Sequence, residues 1–249
     1  MSTVVITMAG RGQRFRDAGH DRPKYEIEVR GRTLFSWALS SLSSWLEQGA
    51  HVICVARAED EAGPFLEREH ARAGIASYEL VELAETTDGQ ATTVMTAEPA
   101  VRAPELPLVV YNIDTHVRPG AMRAQDARGD GWIPVFPGAG SAWSFAAADA
   151  DGRVSAVREK ERISPHATVG LYWFGSFARY RDLYERHYAA AGATDAAGER
   201  YIAPMYNTLI ADGGLVTIGQ LGLDDVVPLG TPAEVERFAV SSAASDHAP

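Results

Sequence analysis

The sequence predicts an α/β fold, a doubly wound, mostly parallel (Rossmann-like) sheet with a smaller mixed or antiparallel region in its second half. Three observations predict it. Apolar runs of strand length alternate with stretches of helical periodicity through the first half of the chain. A glycine-rich turn, Gly10-Arg11-Gly12, follows the first apolar run, and a later run, Leu108-Val109-Val110-Tyr111-Asn112-Ile113, ends on Asp114. Strands alternating with helices imply right-handed βαβ crossovers, and in such sheets ligands bind at the carboxyl ends of strands, where the Gly10 turn and Asp114 both fall.

The elements follow in order. Residues 4–8 form a short apolar run, and Phe35, Ala38, Leu39, Leu42, Trp45 and Leu46 recur at three- and four-residue steps as one helical stripe. Residues 51–56 predict the next strand, 65–73 a helix, Tyr78–Leu83 a strand, and 91–101 a helix that leads past Pro104 and Pro107 to the Asp114 strand. The second half changes character. Runs at 133–136, 142–147, 154–160 and 169–174 predict strands separated by glycine or aspartate turns such as Asp149-Ala150-Asp151-Gly152. Helices are expected at 177–191 and 202–211, a strand at 215–220 and a last helix from Pro232. Residues 1–240 are expected to form one domain with halves at 1–116 and 117–240, and 241–249 a frayed tail.

At 249 residues, 46% hydrophobic and 22% charged, the chain has the composition of a folded domain with a substantial core. A net charge of −10 argues against a partner that is a nucleic acid polymer. No apolar run approaches the roughly 20 residues of a membrane span, and a cytoplasmic protein, free or as a homo-oligomer, is the expectation. Cys54, the single cysteine, lies in an apolar strand and reads as a small buried hydrophobe.

The segment Thr7-Met8-Ala9-Gly10-Arg11-Gly12-Gln13-Arg14-Phe15, followed by Pro23-Lys24, suits a phosphate cradle. Glycine brings backbone N–H groups close to phosphate oxygens, and Arg14 and Lys24 supply the positive charge a leaving pyrophosphate requires. It is neither a Walker loop nor a dinucleotide fingerprint, and a plain βα turn explains the glycines equally well on spacing alone. In company the segment resembles the nucleotidyltransferases that join a nucleoside triphosphate to a sugar 1-phosphate or similar acceptor, whose opening runs A-G-x-G-x-R-F, then P-K, then a turn into a helix as at Gly31-Arg32-Thr33-Leu34-Phe35.

The resemblance extends along the chain. Tyr111-Asn112-Ile113-Asp114 sits where that family carries its metal-binding aspartate, although a helix-cap or turn aspartate is the plainer alternative. Asp88-Gly89-Gln90-Ala91 resembles the stretch that closes the family's base pocket. Glu159-Lys160 and the Val169-Gly170-Leu171-Tyr172 strand resemble its acceptor side, where the glutamate accepts from acceptor hydroxyls and the lysine binds the acceptor phosphate. Glu199-Arg200-Tyr201-Ile202, running on to Asn207, resembles one bacterial branch, and Tyr201 and Asn207 are expected either to contact the acceptor or to pack a helix. Leu229-Gly230-Thr231-Pro232-Ala233-Glu234 resembles the closing G-T-P-x-D/E turn.

The resemblance implies Arg14, Lys24 and Asp114 as catalytic residues and Asp114 as a Mg²⁺ ligand. It implies Met8, Ala9, Gly10, Arg11, Gly12, Gln13, Gly89, Gln90 and Asn112 around the nucleotide, and Glu159, Lys160, Thr168, Gly170, Tyr201 and Asn207 around a small phosphorylated acceptor. The chain departs from sugar-specific members in carrying Pro228 where they often have a second metal-binding aspartate; Asp224 and Asp225 are the substitutes within reach. Tyr25 and Glu26 after Lys24 point toward the branch that includes capsule-precursor and phosphocholine cytidylyltransferases, with cytosine or uracil as the expected base. A glycosyltransferase and a non-catalytic nucleotide-binding module are the competing classes. Asn112-Ile113-Asp114 in place of D-x-D counts against the first, and intact Arg14, Lys24 and Asp114 against the second.

Overall fold

The structure, a computed structural model, describes residues 2–75, 77–189 and 198–241. In chain order, β1 (Thr3–Thr7) leads through the glycine turn to α1 (Gln13–Asp17), then to a short hairpin of β2 (Glu28–Val29) and β3 (Arg32–Thr33). α2 (Leu34–Ser40), α3 (Ser43–Glu47), β4 (His51–Arg57), α4 (Gly63–Arg72), β5 (Tyr78–Leu83), α5 (Gln90–Met95) and β6 (Leu108–Asn112) complete the first half. β7 (Thr115–Val117), β8 (Gly131–Phe136), β9 (Ser144–Ala148), β10 (Val154–Glu159), β11 (Ala167–Thr168) and β12 (Leu171–Phe174) follow. The chain then runs through α6 (Phe177–His187), α7 (Met205–Ala211), β13 (Val216–Gln220), β14 (Val226–Pro228) and α8 (Pro232–Val240).

The sheet is mixed. Its core, in the order β5-β4-β1-β6, is parallel, and β12 joins β6 antiparallel to open a region in which β8, β9, β10 and β11 pair antiparallel while β13 runs parallel to β8. Both faces of β1 are buried, so its residues read as a continuous apolar run rather than an alternation. Val4 and Ile6 face the layer holding Phe35, Trp45 and Phe65, whereas Val5 faces Ala91, Tyr180 and Tyr206. Helices therefore cover both sides of the sheet, as the predicted double winding requires. A third, smaller cluster joins Phe15, Ile27, Leu34, Trp37, Leu229 and Phe238. It ties the glycine turn, the hairpin and the last helix into one wall of the cleft.

Local chemistry moves several predicted boundaries. The single stripe at Phe35 to Leu46 breaks into α2 and α3, because the Ser41 hydroxyl bonds to Trp37 O at 3.3 Å and accepts from Val117 N at 2.9 Å, and Leu42 N closes a tight bond to Leu39 O. The helix expected over 91–101 ends at Met95, ahead of Pro99, which lacks an N–H and sits in a short 3-10 turn. The strand expected over 169–174 begins at Leu171, since Gly170 turns at φ +78°. Of the predicted helix over 177–191, 190 and 191 lie outside the described residues, as do 242–249 of the predicted tail.

Candidate active site

A cleft of about 910 Å³ opens along the carboxyl ends of β1 and β6. One end is the glycine turn. Gly12 takes a left-handed conformation, φ +62° and ψ +28°, and starts α1, so Gln13 and Arg14 enter the cleft wall from the helix's first turn. Phe15, buried in the third cluster, anchors that turn. Arg11 reaches across to the opposite wall, its guanidinium donating to Thr86 Oγ1 at 3.1 Å.

Lys24 comes from a second anchored turn. Tyr25, its neighbour, is buried against Phe65 at 5.3 Å between ring centres, so the residue that distinguished this stretch of sequence serves to pin the lysine's backbone. The Lys24 ammonium lies 3.4 Å from Asp114 Oδ2 and 5.5 Å from the centre of the Phe15 ring. The lysine side chain is only 13% exposed, whereas that of Asp114 is 41% exposed, which leaves carboxylate surface open to the cleft. Asp114 follows β6 and is braced from behind: β7 pairs with β14, and Leu229 N donates to the Asp114 carbonyl at 2.7 Å.

That pairing answers the question of a second carboxylate. Pro228 lies at the end of β14 on the cleft wall and offers no ligand. Asp224 and Asp225 are not among the cleft-lining residues; Asp225 pairs with Arg118 and accepts from Gly222 N. The cleft receives Glu234 instead, from the first turn of α8. A Cβ placed on Gly230 would stand 3.4 Å from Glu234 Oε2 and 3.7 Å from Asp114 Oδ2, so the two carboxylates flank the hydrogens of this glycine. Two hard oxygen donors on one stretch of the cleft wall suit Mg²⁺, which keeps much of its shell for water and phosphate oxygens. Among the described residues no group of three His, Cys, Asp or Glu side chains could hold a metal ion, so such a cation would need substrate oxygens as well. Glu234 was visible in the sequence as the acidic member of the G-T-P-x-E turn, but was not expected in the site.

The opposite wall carries residues expected around the base. Gln90 opens α5, and its amide nitrogen donates to Thr7 Oγ1 at 3.0 Å and to Asn112 Oδ1. With both N–H groups occupied by strand-end partners, the amide oxygen is what Gln90 offers to a ligand. Gly89 lines the cleft beside Gln90, and the backbone packing requires a glycine there. At φ +148°, it lets the backbone of Arg200 pass so close that a Cβ would stand 2.5 Å from Arg200 N.

At the end expected to take the acceptor, Glu159, Ser144, Thr168, Gly170, Tyr172, Trp143 and Tyr201 line the cleft. Ser144 Oγ donates to the Glu159 carboxylate and lies 3.2 Å from the Tyr172 hydroxyl, which also contacts Thr168 Oγ1 at 3.2 Å. Burial, with the Glu159 charge next, pushes the Tyr172 hydroxyl up to about 12, so it stays protonated and able to donate. Trp143, Ser144 and Tyr172 were not singled out from sequence; only the pairing of β9 with β10 brings the first two to this wall.

Two expected acceptor residues stand elsewhere. Lys160, held at φ +53°, is not among the cleft-lining residues and donates to the Tyr201 hydroxyl at 2.7 Å from behind. Asn207 is also not among them; its carboxamide accepts from Val157 N at 2.9 Å and donates to Val157 O at 2.8 Å, binding α7 to β10. Met8, Ala9, Gly10, Gln13 and Asn112, expected around the nucleotide, also line the cleft.

The protein thus combines a mixed sheet with a parallel core and a cleft that sets a glycine turn and a lysine against an aspartate at the strand ends. No protein-family model and no curated protein matches the chain. Among solved structures it is similar to the nucleoside-diphosphate-sugar pyrophosphorylase from Vibrio cholerae RC9, with a TM-score of 0.86 and 32% identity over 96% of this chain and 100% of that one. The chain belongs to the nucleotidyltransferase family of which that pyrophosphorylase is a member. The inositol-1-phosphate CTP transferase from T. maritima shares the fold, with a TM-score of 0.73 and 15% identity over 94% of this chain and 91% of that one. So does a UDP-glucose pyrophosphorylase complexed with UDP-glucose, with a TM-score of 0.74 and 15% identity over 96% and 97%.

Proposed function

We propose that this nucleotidyltransferase transfers CMP or UMP from the nucleoside triphosphate to a small phosphorylated acceptor, a sugar 1-phosphate or a non-sugar phosphate, with release of pyrophosphate. The observation that carries the proposal is the Lys24–Asp114 pair, 3.4 Å apart, beside the Gly10 to Arg14 turn in one cleft. An acceptor phosphate oxygen attacks the α-phosphorus, and the bond to the β-phosphate oxygen breaks as pyrophosphate leaves. Both reactants are anions, so the protein contributes position and positive charge rather than a nucleophile.

Arg14 and the backbone N–H groups of the glycine turn hold the β- and γ-phosphates. Lys24 shifts from Asp114 toward the α-phosphate as negative charge builds on its oxygens. Asp114, with Glu234 beside it, would hold Mg²⁺, which when bound neutralises phosphate oxygens during the displacement. The Gln90 amide oxygen accepts from a base donor, either the exocyclic amine of cytosine or the ring N–H of uracil. Glu159, with the Ser144, Tyr172 and Thr168 hydroxyls, binds the polar groups of the acceptor, and the Lys160–Tyr201 pair closes its far side.

The test is a pyrophosphatase-coupled assay with each NTP and Mg²⁺ across sugar 1-phosphates, phosphocholine, phosphonates and polyol phosphates. Phosphate release that needs both a pyrimidine triphosphate and one acceptor is the expected result. Release with purine triphosphates alone would contradict the base assignment.

A further inference from the structure

The two walls of the cleft, one for the nucleobase and one for the acceptor, are joined by Arg200. Its backbone N donates to Asp88 O at 2.8 Å and its carbonyl accepts from Ala91 N at 2.9 Å, so one residue bridges both sides of Gly89. The side chain repeats the link. Arg200 Nε lies 3.1 Å from Asp88 Oδ2, and Arg200 Nη1 donates to the Tyr184 hydroxyl at 2.7 Å, which in turn meets Thr92 Oγ1 at 2.8 Å. The guanidinium also lies over the rings of Tyr184 and Tyr188, 5.7 and 5.1 Å from their centres. On one side of this knot stands Gln90; on the other stands Tyr201, the next residue, whose hydroxyl holds Lys160. Gly89 is shaped for the arrangement, since any side chain there would collide with the Arg200 backbone.

We propose that Arg200 is a positioning residue that couples the two halves of the site, so that a nucleotide seated against Gln90 holds Tyr201 and Lys160 in place for the acceptor. The proposal rests on the nucleotidyl-transfer function above. Arg200 itself is not among the residues lining the cleft, so its effect passes through Asp88, Gly89 and Tyr201. Coupling of this kind is reciprocal in binding: the factor by which nucleotide tightens acceptor binding equals the factor by which acceptor tightens nucleotide binding.

The experiment compares the full chain with its Arg200→Ala, Arg200→Lys and Tyr184→Phe variants. Tyr184→Phe removes one hydroxyl and its bonds to Arg200 and Thr92, and keeps the ring that packs under the guanidinium. Hydrogen exchange across 198–205 is measured with and without CTP or UTP and Mg²⁺, and steady-state rates are measured against both substrates. The expected result is that nucleotide alone slows exchange at 198–205 in the wild type and does so less in each variant. The acceptor KM should rise roughly tenfold in Arg200→Ala, and less in Arg200→Lys and Tyr184→Phe, while nucleotide affinity measured without acceptor changes by less than about twofold. Wild-type chain that binds CTP or UTP with unchanged exchange at 198–205 would overturn the coupling and leave the functional proposal standing. An Arg200→Ala variant that is folded and keeps the wild-type acceptor KM would overturn it equally. Wild-type chain that binds no nucleotide would instead overturn the functional proposal.

Discussion

Replacing Gly89 with alanine tests whether the base wall is built against the Arg200 backbone. At φ +148° an L-residue is strained by roughly 1–3 kcal/mol. The new methyl would also stand 2.5 Å from Arg200 N and 2.9 Å from its carbonyl carbon, which are backbone atoms and cannot rotate away. Relief requires separating the two segments, with loss of the 2.8 Å and 2.9 Å backbone bonds that bracket Gly89, at about 1 kcal/mol each. The expected cost is about 3–5 kcal/mol, a fall in Tm of roughly 6–20 °C for a chain of this size. Gly10→Ala is the matched control, because a Cβ there meets no atom within 4 Å. It lines the same cleft yet should change stability by less than about 0.5 kcal/mol. Urea unfolding and thermal melts of both variants decide the matter. Equal stability of the two would refute the close approach of Gly89 and Arg200.

On the proposed mechanism, in which both side chains stabilise charge in the transition state rather than the core, Lys24→Ala and Asp114→Asn should each lower kcat by roughly 10²- to 10³-fold with little change in Tm; steady-state rates and melts check this. Asn207→Ala should leave acceptor KM within about twofold of the wild type and cost about 2–3 kcal/mol in urea unfolding, because it strands the N–H and carbonyl of Val157. Stability should fall as pH drops below about 6.5, because burial holds the His70 imidazole below its ordinary value and the unfolded chain takes up a proton that the folded chain resists. The dependence continues until the pH passes the lowered folded value, and His70→Phe should flatten it in melts taken between pH 5 and 7.

The parallel core was legible in the sequence because strands buried on both faces leave unbroken apolar runs, as at Val4-Val5-Ile6 and Leu108-Val109-Val110. Gly12 and Asp114 were legible for a related reason, since each follows such a run; Lys24, beyond the polar stretch after Gly12, was legible only through the Pro23-Lys24 motif of the resemblance. The acceptor wall was less so. Ser144 and Trp143 reach the site only through the pairing of β9 with β10, and Glu234 only through the remote pairing of β14 with β7. Asn207 illustrates the converse, since a carboxamide spaced to face a ligand is equally suited to bond an edge strand, and only the register at Val157 decides between them. Lys160 stands between these cases, one hydrogen bond behind the wall it was expected to form.

The central claim, transfer of a nucleotidyl group, is tested most directly by following labelled phosphorus. With the pyrimidine triphosphate and the acceptor that support turnover, label in the α-phosphate should appear in the acceptor product, and label in the γ-phosphate should leave as pyrophosphate, both lost in Asp114→Asn. Transfer of the γ-label to the acceptor, or release of α-label as free nucleotide without an acceptor adduct, would contradict it.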